Sequence, residues 1–211
     1  MPRSSIPVLL AALLTFLLAS APAQAGRDAE HYVGTLLQQT SVVLRDTYSS
    51  AADRRERLHG LLLANLDARK AALFALGPYQ RDLDPQTTEA YVAAFTDYIT
   101  AVYEARLQTF RTFDFRVVTS TDANQSDATV VTQATPPPEF HSRAPMSISL
   151  RISRAGGAFK IVDVQIAGIW VSMYQRDQFA RRLAEARGDL HALTSYLNSQ
   201  AAQIKAGNAE V

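Results

Sequence analysis

The chain of 211 residues contains no cysteine, and its 21 basic residues nearly balance its 20 acidic residues. Without cysteine there is no disulfide and no thiolate metal site. A net charge near zero argues against binding along nucleic acid, which depends on lysine and arginine clustered at phosphates. A chain of this length can bury a sufficient core without crosslinks, and we expect a single domain.

Motifs of catalysis and metal binding are also missing. The four histidines share no helical or strand spacing, and there is no His-Glu-x-x-His. A Gly-x-Ser-x-Gly elbow and a phosphate-cradling glycine loop are absent. The sequence therefore predicts no metal site, no cofactor and no catalytic group, and it favours a protein that is not an enzyme.

The N-terminus has the pattern of a secretory signal. Arg3 is followed by an apolar run from Ile6 to Leu18 and by small residues at 21–25. The apolar run is short for a membrane span, and no stop-transfer segment follows it. We expect cleavage after Ala25 and export of the remaining 186 residues, with an uncleaved anchor as the alternative. Residues 26–204 would then form the domain and residues 205–211 a polar tail.

The first half of the mature chain has helical periodicity. Apolar residues recur at spacings of three and four over residues 28–47 and from about Ser50 to Phe74, before Gly77-Pro78 interrupts the pattern. Asp84-Pro85 then has the pattern of an N-cap followed by proline at the first helical position, and the longest periodic helix follows it.

The second half is rich in strands and ends in two helices. Ala155-Gly156-Gly157 predicts a tight hairpin turn, and Gly188-Asp189 separates the two final helices. Four segments are rich in valine, isoleucine and threonine: 113–119, 128–134, 146–153 and 159–166. The sequence predicts an α+β fold, with a four- to five-stranded, mainly antiparallel sheet wrapped by N- and C-terminal helices.

The last predicted strand is apolar on both faces. Simple alternation places Phe159 and Ile161 on one face and Val162, Val164 and Ile166 on the other. A strand with one face in water would alternate apolar with polar residues, so we expect each face to be covered.

Asp163 interrupts this strand and would share a face with Phe159 and Ile161. A buried carboxylate needs a partner, which Arg176 or Arg151 could supply. We favour a structural clamp of Asp163 and Arg176 between the strand and the next helix. The alternative is a general base in an enclosed pocket, although the sequence offers no second catalytic group.

The order of residues in this segment resembles the closing segment of the MlaC family, the toluene-tolerance auxiliary proteins. The matching residues are Phe159-Lys160-Ile161, Asp163-Val164, Ile166, Gly168 and Arg176-Asp177-Gln178-Phe179. Earlier landmarks with the same order are Leu66-Asp67, Leu76-Gly77-x-Tyr79 with Arg81, and the helix from Phe95 to Tyr103. The chain departs from the family pattern at Gln80, Trp170, Tyr174 and Gln175.

The resemblance implies a periplasmic carrier that holds phospholipid acyl chains in an apolar cavity between helices and sheet. It also implies three partners: the phospholipid, an inner-membrane Mla-type ABC transporter complex with its MCE-domain protein, and an outer-membrane lipoprotein. Together they would maintain the lipid asymmetry of the outer membrane. The departures leave a hopanoid-type lipid as an alternative cargo, and an exported interaction domain without a cavity is a further alternative.

The apolar faces and the resemblance together predict fifteen side chains that contact the lipid. Trp170 suits either the rim of the cavity or the core. The predicted set is Phe74, Leu76, Tyr79, Phe95, Ile99, Tyr103, Leu107, Val131, Ile148, Leu150, Val164, Ile166, Trp170, Val171 and Met173.

Overall fold

The computed structural model describes residues 25–81, 83–140 and 144–208. The predicted signal segment lies outside these residues except for Ala25, and so do residues 209–211 of the predicted tail. Within the described ranges, no helix is both long enough and apolar enough to cross a membrane.

Six helices and five strands make up the described chain. The first helices are α1 (Ala25–Arg45), α2 (Ala51–Asn65), α3 (Ala68–Leu76), a short 3-10 turn (Gly77–Gln80) and α4 (Pro85–Thr109). The sheet contains β1 (Asp114–Asp122), β2 (Asp127–Thr135), β3 (Met146–Ala155), β4 (Ala158–Ile166) and β5 (Ile169–Trp170). The last helices are α5 (Val171–Glu185) and α6 (Leu190–Lys205).

The strands pair in chain order, β1-β2-β3-β4-β5, and each pair is antiparallel. The predicted α+β fold is therefore confirmed. One layer of helices packs on the inner face of the sheet, where Ala29 and Val33 of α1 meet Val130 of β2 and Ile152 of β3. A second core joins α3, α4, α5 and α6 around the buried side chains of Tyr91, Phe95 and Phe179, among others.

The predicted start of the longest helix is also confirmed. The Asp84 carboxylate accepts a hydrogen bond from the backbone N–H of Thr87 at 2.9 Å, and Pro85 is the first residue of α4. Both features satisfy or remove donors that a helix leaves unpaired at its beginning.

The prediction of one continuous helix from Ser50 to Phe74 was wrong. The chain leaves helical geometry at Leu66, which pairs with Ile161 of β4, and Asp67 donates its backbone N–H to the Ile161 carbonyl at 2.8 Å. Asp67 then caps α3 by accepting from the Lys70 backbone N–H. The bond to the sheet replaces a helical hydrogen bond, and the apolar periodicity continues across the break, so the pattern alone did not reveal it.

The predicted faces of β4 were wrong beyond Ile161. Ile152 pairs with Ile161 and Arg151 with Asp163, so Val162 is an extra residue in a β-bulge. The bulge shifts the alternation by one residue. Val164 therefore shares the inner face with Ile161, and Asp163 lies on the outer side with Val162.

Candidate functional site

A cavity with almost entirely apolar walls lies between α1, α2, α4 and the inner face of the sheet. It encloses about 150 Å³, and about 950 Å³ when all the space out to its opening to solvent is included. Its walls are formed by Val33, Leu36, Leu37, Thr40, Leu58, Leu61, Leu62, Asn65, Leu66, Tyr103, Arg106, Leu107, Phe110, Phe115, Thr132, Ile148, Leu150, Ile161, Val164 and Ile166.

Each of the three helices contributes residues at the same spacing, i, i+3, i+4 and i+7. On α1 these are residues 33, 36, 37 and 40, on α2 residues 58, 61, 62 and 65, and on α4 residues 103, 106 and 107 with the C-cap residue 110. This spacing places four side chains on one stripe of a helix. Three amphipathic stripes thus face one another across the cavity, with the sheet as the fourth wall.

The sheet wall follows from strand alternation. Ile148 and Leu150 are two residues apart on β3, and the β4 bulge brings Ile161 and Val164 to the same side. On β2 the inward position is Thr132, whose hydroxyl donates to the Ile148 carbonyl at 2.9 Å. The wall is therefore apolar in spite of the threonine, because its polar hydrogen is already bonded within the sheet.

The other polar groups at the cavity are few and separated. Asn65 is satisfied within the protein: its Nδ2 donates to the Leu61 carbonyl at 2.8 Å, and its Oδ1 accepts from the Tyr32 hydroxyl at 2.9 Å. Burial raises the pKa of Tyr103 far above its ordinary value, so this phenol stays neutral. Arg106 is the one charged side chain among the described lining residues, and it is exposed.

Six of the fifteen predicted contact residues line this cavity: Tyr103, Leu107, Ile148, Leu150, Val164 and Ile166. Phe95, Ile99 and Val171 line a smaller adjoining void of about 20 Å³. The two voids share Leu66, Tyr103 and Ile161 as a common wall.

The remaining six predicted residues lie elsewhere. Leu76 is buried among α3, α4 and α6, and Tyr79 packs against the same core. Phe74 and Met173 are exposed. Val131 lies on the opposite face of β2 from its inward neighbour Thr132. Trp170 lies beneath the guanidinium of Arg151, whose Cζ is 4.3 Å from the ring centroid. Any contact of these residues with a ligand stays a prediction.

The α1 and α2 walls were not among the predicted contacts. Their apolar spacing was visible, but nothing in the periodicity distinguishes a stripe that faces a cavity from one that faces solid core. The break at Leu66 orients α2, and that break depends on a long-range hydrogen bond to β4.

Asp163 does not line the main cavity; it borders the smaller adjoining void and lies in a polar network. Its carboxylate accepts from the backbone N–H groups of Val164 at 2.9 Å and Ser172 at 3.0 Å, and from the Ser172 hydroxyl. Its ionic partner is Arg151 at 3.4 Å, one of the two partners that the sequence offered. Arg176 lies over the Phe74 ring instead. The network ties β4 to the first turn of α5 and occupies the oxygens that a general base would need.

The fold and the cavity define a class of protein. In the described ranges no group of three or more histidine, aspartate or glutamate side chains could hold a metal, and the described residues that line the apolar cavity include no histidine, aspartate or glutamate. A cavity with these walls can hold an apolar ligand. The family model described as MlaC protein matches residues 35–199, and the chain belongs to the MlaC family, as its sequence order predicted.

A solved structure shows the same fold. It is a phospholipid-binding protein from Ralstonia solanacearum, determined in complex with a phospholipid at 1.53 Å resolution. The alignment has a TM-score of 0.69 and 18% sequence identity, and it covers 84% of this chain and 98% of that one. No curated protein matches the chain.

Proposed function

We propose that this protein is a periplasmic lipid carrier that binds phospholipid acyl chains in the cavity between α1, α2, α4 and the sheet. The observation that carries the proposal is the cavity itself, in which three helical stripes and the sheet present almost entirely apolar side chains to a single space. The Ralstonia protein of the same fold binds a phospholipid, which supports the same ligand class here.

A carrier of this kind has a simple energetic requirement. Each buried methylene is worth about 0.8 kcal/mol, so two chains of about 16 carbons represent roughly 25 kcal/mol relative to water. A lipid leaves a bilayer at a useful rate only if the protein offers an environment of similar polarity. The cavity wall provides that environment without any covalent step, and Asn65 and Thr132 have their hydrogen bonds satisfied by the protein.

The headgroup would lie at the mouth of the cavity beside Arg106. This residue is exposed on α4, one turn from Tyr103 and adjacent to Leu107, which both line the interior. A guanidinium at the opening suits a phosphate, because arginine donates charge-assisted hydrogen bonds to phosphate oxygens. The remainder of the headgroup would stay in water.

Membership in the MlaC family supports the transport step of the proposal. The carrier would exchange lipid with an outer-membrane lipoprotein and with an inner-membrane ABC transporter complex that includes an MCE-domain protein. This exchange would maintain the lipid asymmetry of the outer membrane. The predicted signal segment supports a periplasmic location.

The first experiment is mass spectrometry of an organic extract of the protein, purified from a bacterial periplasm without detergent. The proposal predicts phospholipid in a fixed molar ratio to protein. A hopanoid in the same ratio would keep the carrier function and change the cargo. Stable protein that yields no lipid, and that does not bind phospholipid from vesicles, would contradict the proposal.

The transport step needs a separate assay. Donor vesicles that contain a self-quenched fluorescent phospholipid are mixed with acceptor vesicles, and dequenching is followed with and without protein. We expect transfer to accelerate in proportion to protein concentration. A protein that binds lipid but leaves the rate unchanged would contradict shuttling while preserving binding.

A further inference from the structure

One carboxylate oxygen at the end of β1 is buried without a partner. Within the ranges that the structure describes, Asp122 Oδ1 is the one buried side-chain oxygen or nitrogen that forms no hydrogen bond. An acceptor removed from water without a replacement bond is costly, and the cost is larger for a charged group. Such an atom therefore requires an explanation.

The first turn of α1 lies directly against this oxygen. A Cβ atom built on Gly26 would be 2.8 Å from Asp122 Oδ1 and 2.7 Å from the Ser120 Oγ. A carbon atom cannot occupy that position, because real Cβ atoms do not approach oxygen so closely. For a charged nitrogen, however, both distances are ordinary hydrogen-bond lengths, which lie at about 2.7–2.9 Å.

Cleavage after Ala25 would supply such a nitrogen. Water is added across the Ala25–Gly26 peptide bond by the signal-cleaving protease, which leaves a carboxylate on Ala25 and an ammonium on Gly26. The nitrogen of Gly26 is then no longer fixed by a preceding residue. Rotation about the Cα–C bond of a terminal glycine exchanges the positions of its nitrogen and its two hydrogens. This rotation can bring the nitrogen to the Cβ position.

We propose that the α-amino group freed at Gly26 forms an ion pair with Asp122 and a hydrogen bond with Ser120. Removal of the signal segment would thus complete the attachment of α1 to β1. This pairing belongs to the maturation of the chain and does not depend on the ligand of the cavity.

The surrounding charges favour this pairing. A cation at a helix N-terminus is opposed by the helix dipole and needs a nearby anion. Asp28 is the acidic residue in the first turn of α1, but its carboxylate already pairs with Arg154 at 3.0 Å. Asp122 is therefore the carboxylate that is both close to Gly26 and unengaged among the described residues.

The pair would stabilise the folded mature protein more than its precursor. Helix α1 contributes Ala29 and Val33 to the core on the sheet and one of the three stripes to the cavity. An anchor that forms only after cleavage strengthens this helix once export is complete. Before cleavage, the buried Asp122 oxygen lowers the stability of the folded form.

The test compares two chains that differ by one residue at the N-terminus. One begins at Gly26 and the other at Ala25, and each is released from a fusion by a protease that leaves no other residue. We expect the Gly26 chain to melt about 2–4 °C higher at low salt, as for one ion pair in a protein of this size. In the Asp122→Asn background the two chains should melt at the same temperature.

A matched control and a processing measurement complete the test. Asp177→Asn, which removes an exposed carboxylate on α5, should preserve the difference between the two chains. Intact mass of the protein from the periplasm should correspond to a chain that begins at Gly26. Equal melting of the two original chains, an undiminished difference in Asp122→Asn, or a different mature N-terminus would each overturn the proposal.

Discussion

His59 on α2 meets Glu104 on α4, with 2.5 Å between Nδ1 and Oε1. Both helices line the cavity, and Glu104 is buried, with 9% of its surface exposed. It is one of several polar contacts of α2, together with Tyr32–Asn65 and Lys160–Ala64. The pair therefore connects α2 to α4, which are two walls of the cavity.

We expect His59→Ala to lower the free energy of unfolding by about 1–3 kcal/mol, because it leaves the buried Glu104 carboxylate without its partner. Urea denaturation followed by circular dichroism measures the loss. His191→Ala is the matched control, since that side chain is exposed at the beginning of α6, and it should change stability by less than about 0.5 kcal/mol. Similar losses in the two variants would contradict the role of the pair.

The buried side chain of Tyr32 should make the folded protein less stable at alkaline pH. Its hydroxyl donates to Asn65 Oδ1, and burial raises its pKa from 10.0 to about 12. The folded protein therefore favours the neutral phenol. The stability that the buried neutral phenol of Tyr32 contributes is fully present below pH 10 and is lost as the pH rises through about 12.

The measurement is the melting temperature of the protein and of Tyr32→Phe between pH 9 and about 12. The phenylalanine variant should lose less stability over this interval, because it has no phenol to ionise. Tyr48→Phe is the control, since Tyr48 is 100% exposed, and its pH profile should match that of the original protein. Parallel profiles for Tyr32→Phe and the original protein would exclude Tyr32 as a source of the alkaline loss.

Local chemistry made much of the fold predictable from the sequence. The cap at Asp84, the proline at position 85 and the turn at Gly156-Gly157 each act within a few residues, so their signals are complete in the sequence. The bulge at Val162 and the break at Leu66 were not predictable in this way. Both depend on pairing with a distant strand, which periodicity does not encode.

In the candidate site, too, some positions were predictable from the sequence, while others depend on pairing with a distant strand. Leu107 and Ile148 were predicted and line the cavity, because each lies on an apolar face of a well-defined element. Val131 was also a candidate, but its neighbour Thr132 is the inward residue of β2. The pairing of β2 with β3 determines which of these two residues faces inward. A threonine whose hydroxyl is satisfied within the sheet can occupy an apolar wall, so residue type alone does not identify the inward face.

A charge introduced on the α2 stripe should weaken lipid binding. Leu61 lines the cavity, whereas Leu63 on the same helix is 47% exposed. We expect Leu61→Asp to weaken phospholipid binding by at least about tenfold, because an unpaired carboxylate in an apolar space opposes acyl chains. Retention of a fluorescent phospholipid measures the effect, with circular dichroism to verify the fold. Leu63→Asp should bind as the original protein does, and equal binding by both variants would place the acyl chains elsewhere.

Arg106 tests whether the mouth of the cavity recognises phosphate. It is the charged lining residue among those the structure describes, and its exposure limits the gain from a single ion pair to about 1 kcal/mol. We therefore expect Arg106→Ala to weaken binding of phosphatidylglycerol roughly two- to fivefold and to leave binding of diacylglycerol with the same acyl chains unchanged. Arg111→Ala removes an exposed arginine just beyond the end of α4 and should affect neither lipid. Equal weakening of both lipids by Arg106→Ala would mean that the arginine supports the wall through its aliphatic stem, and the phosphate would then need another partner.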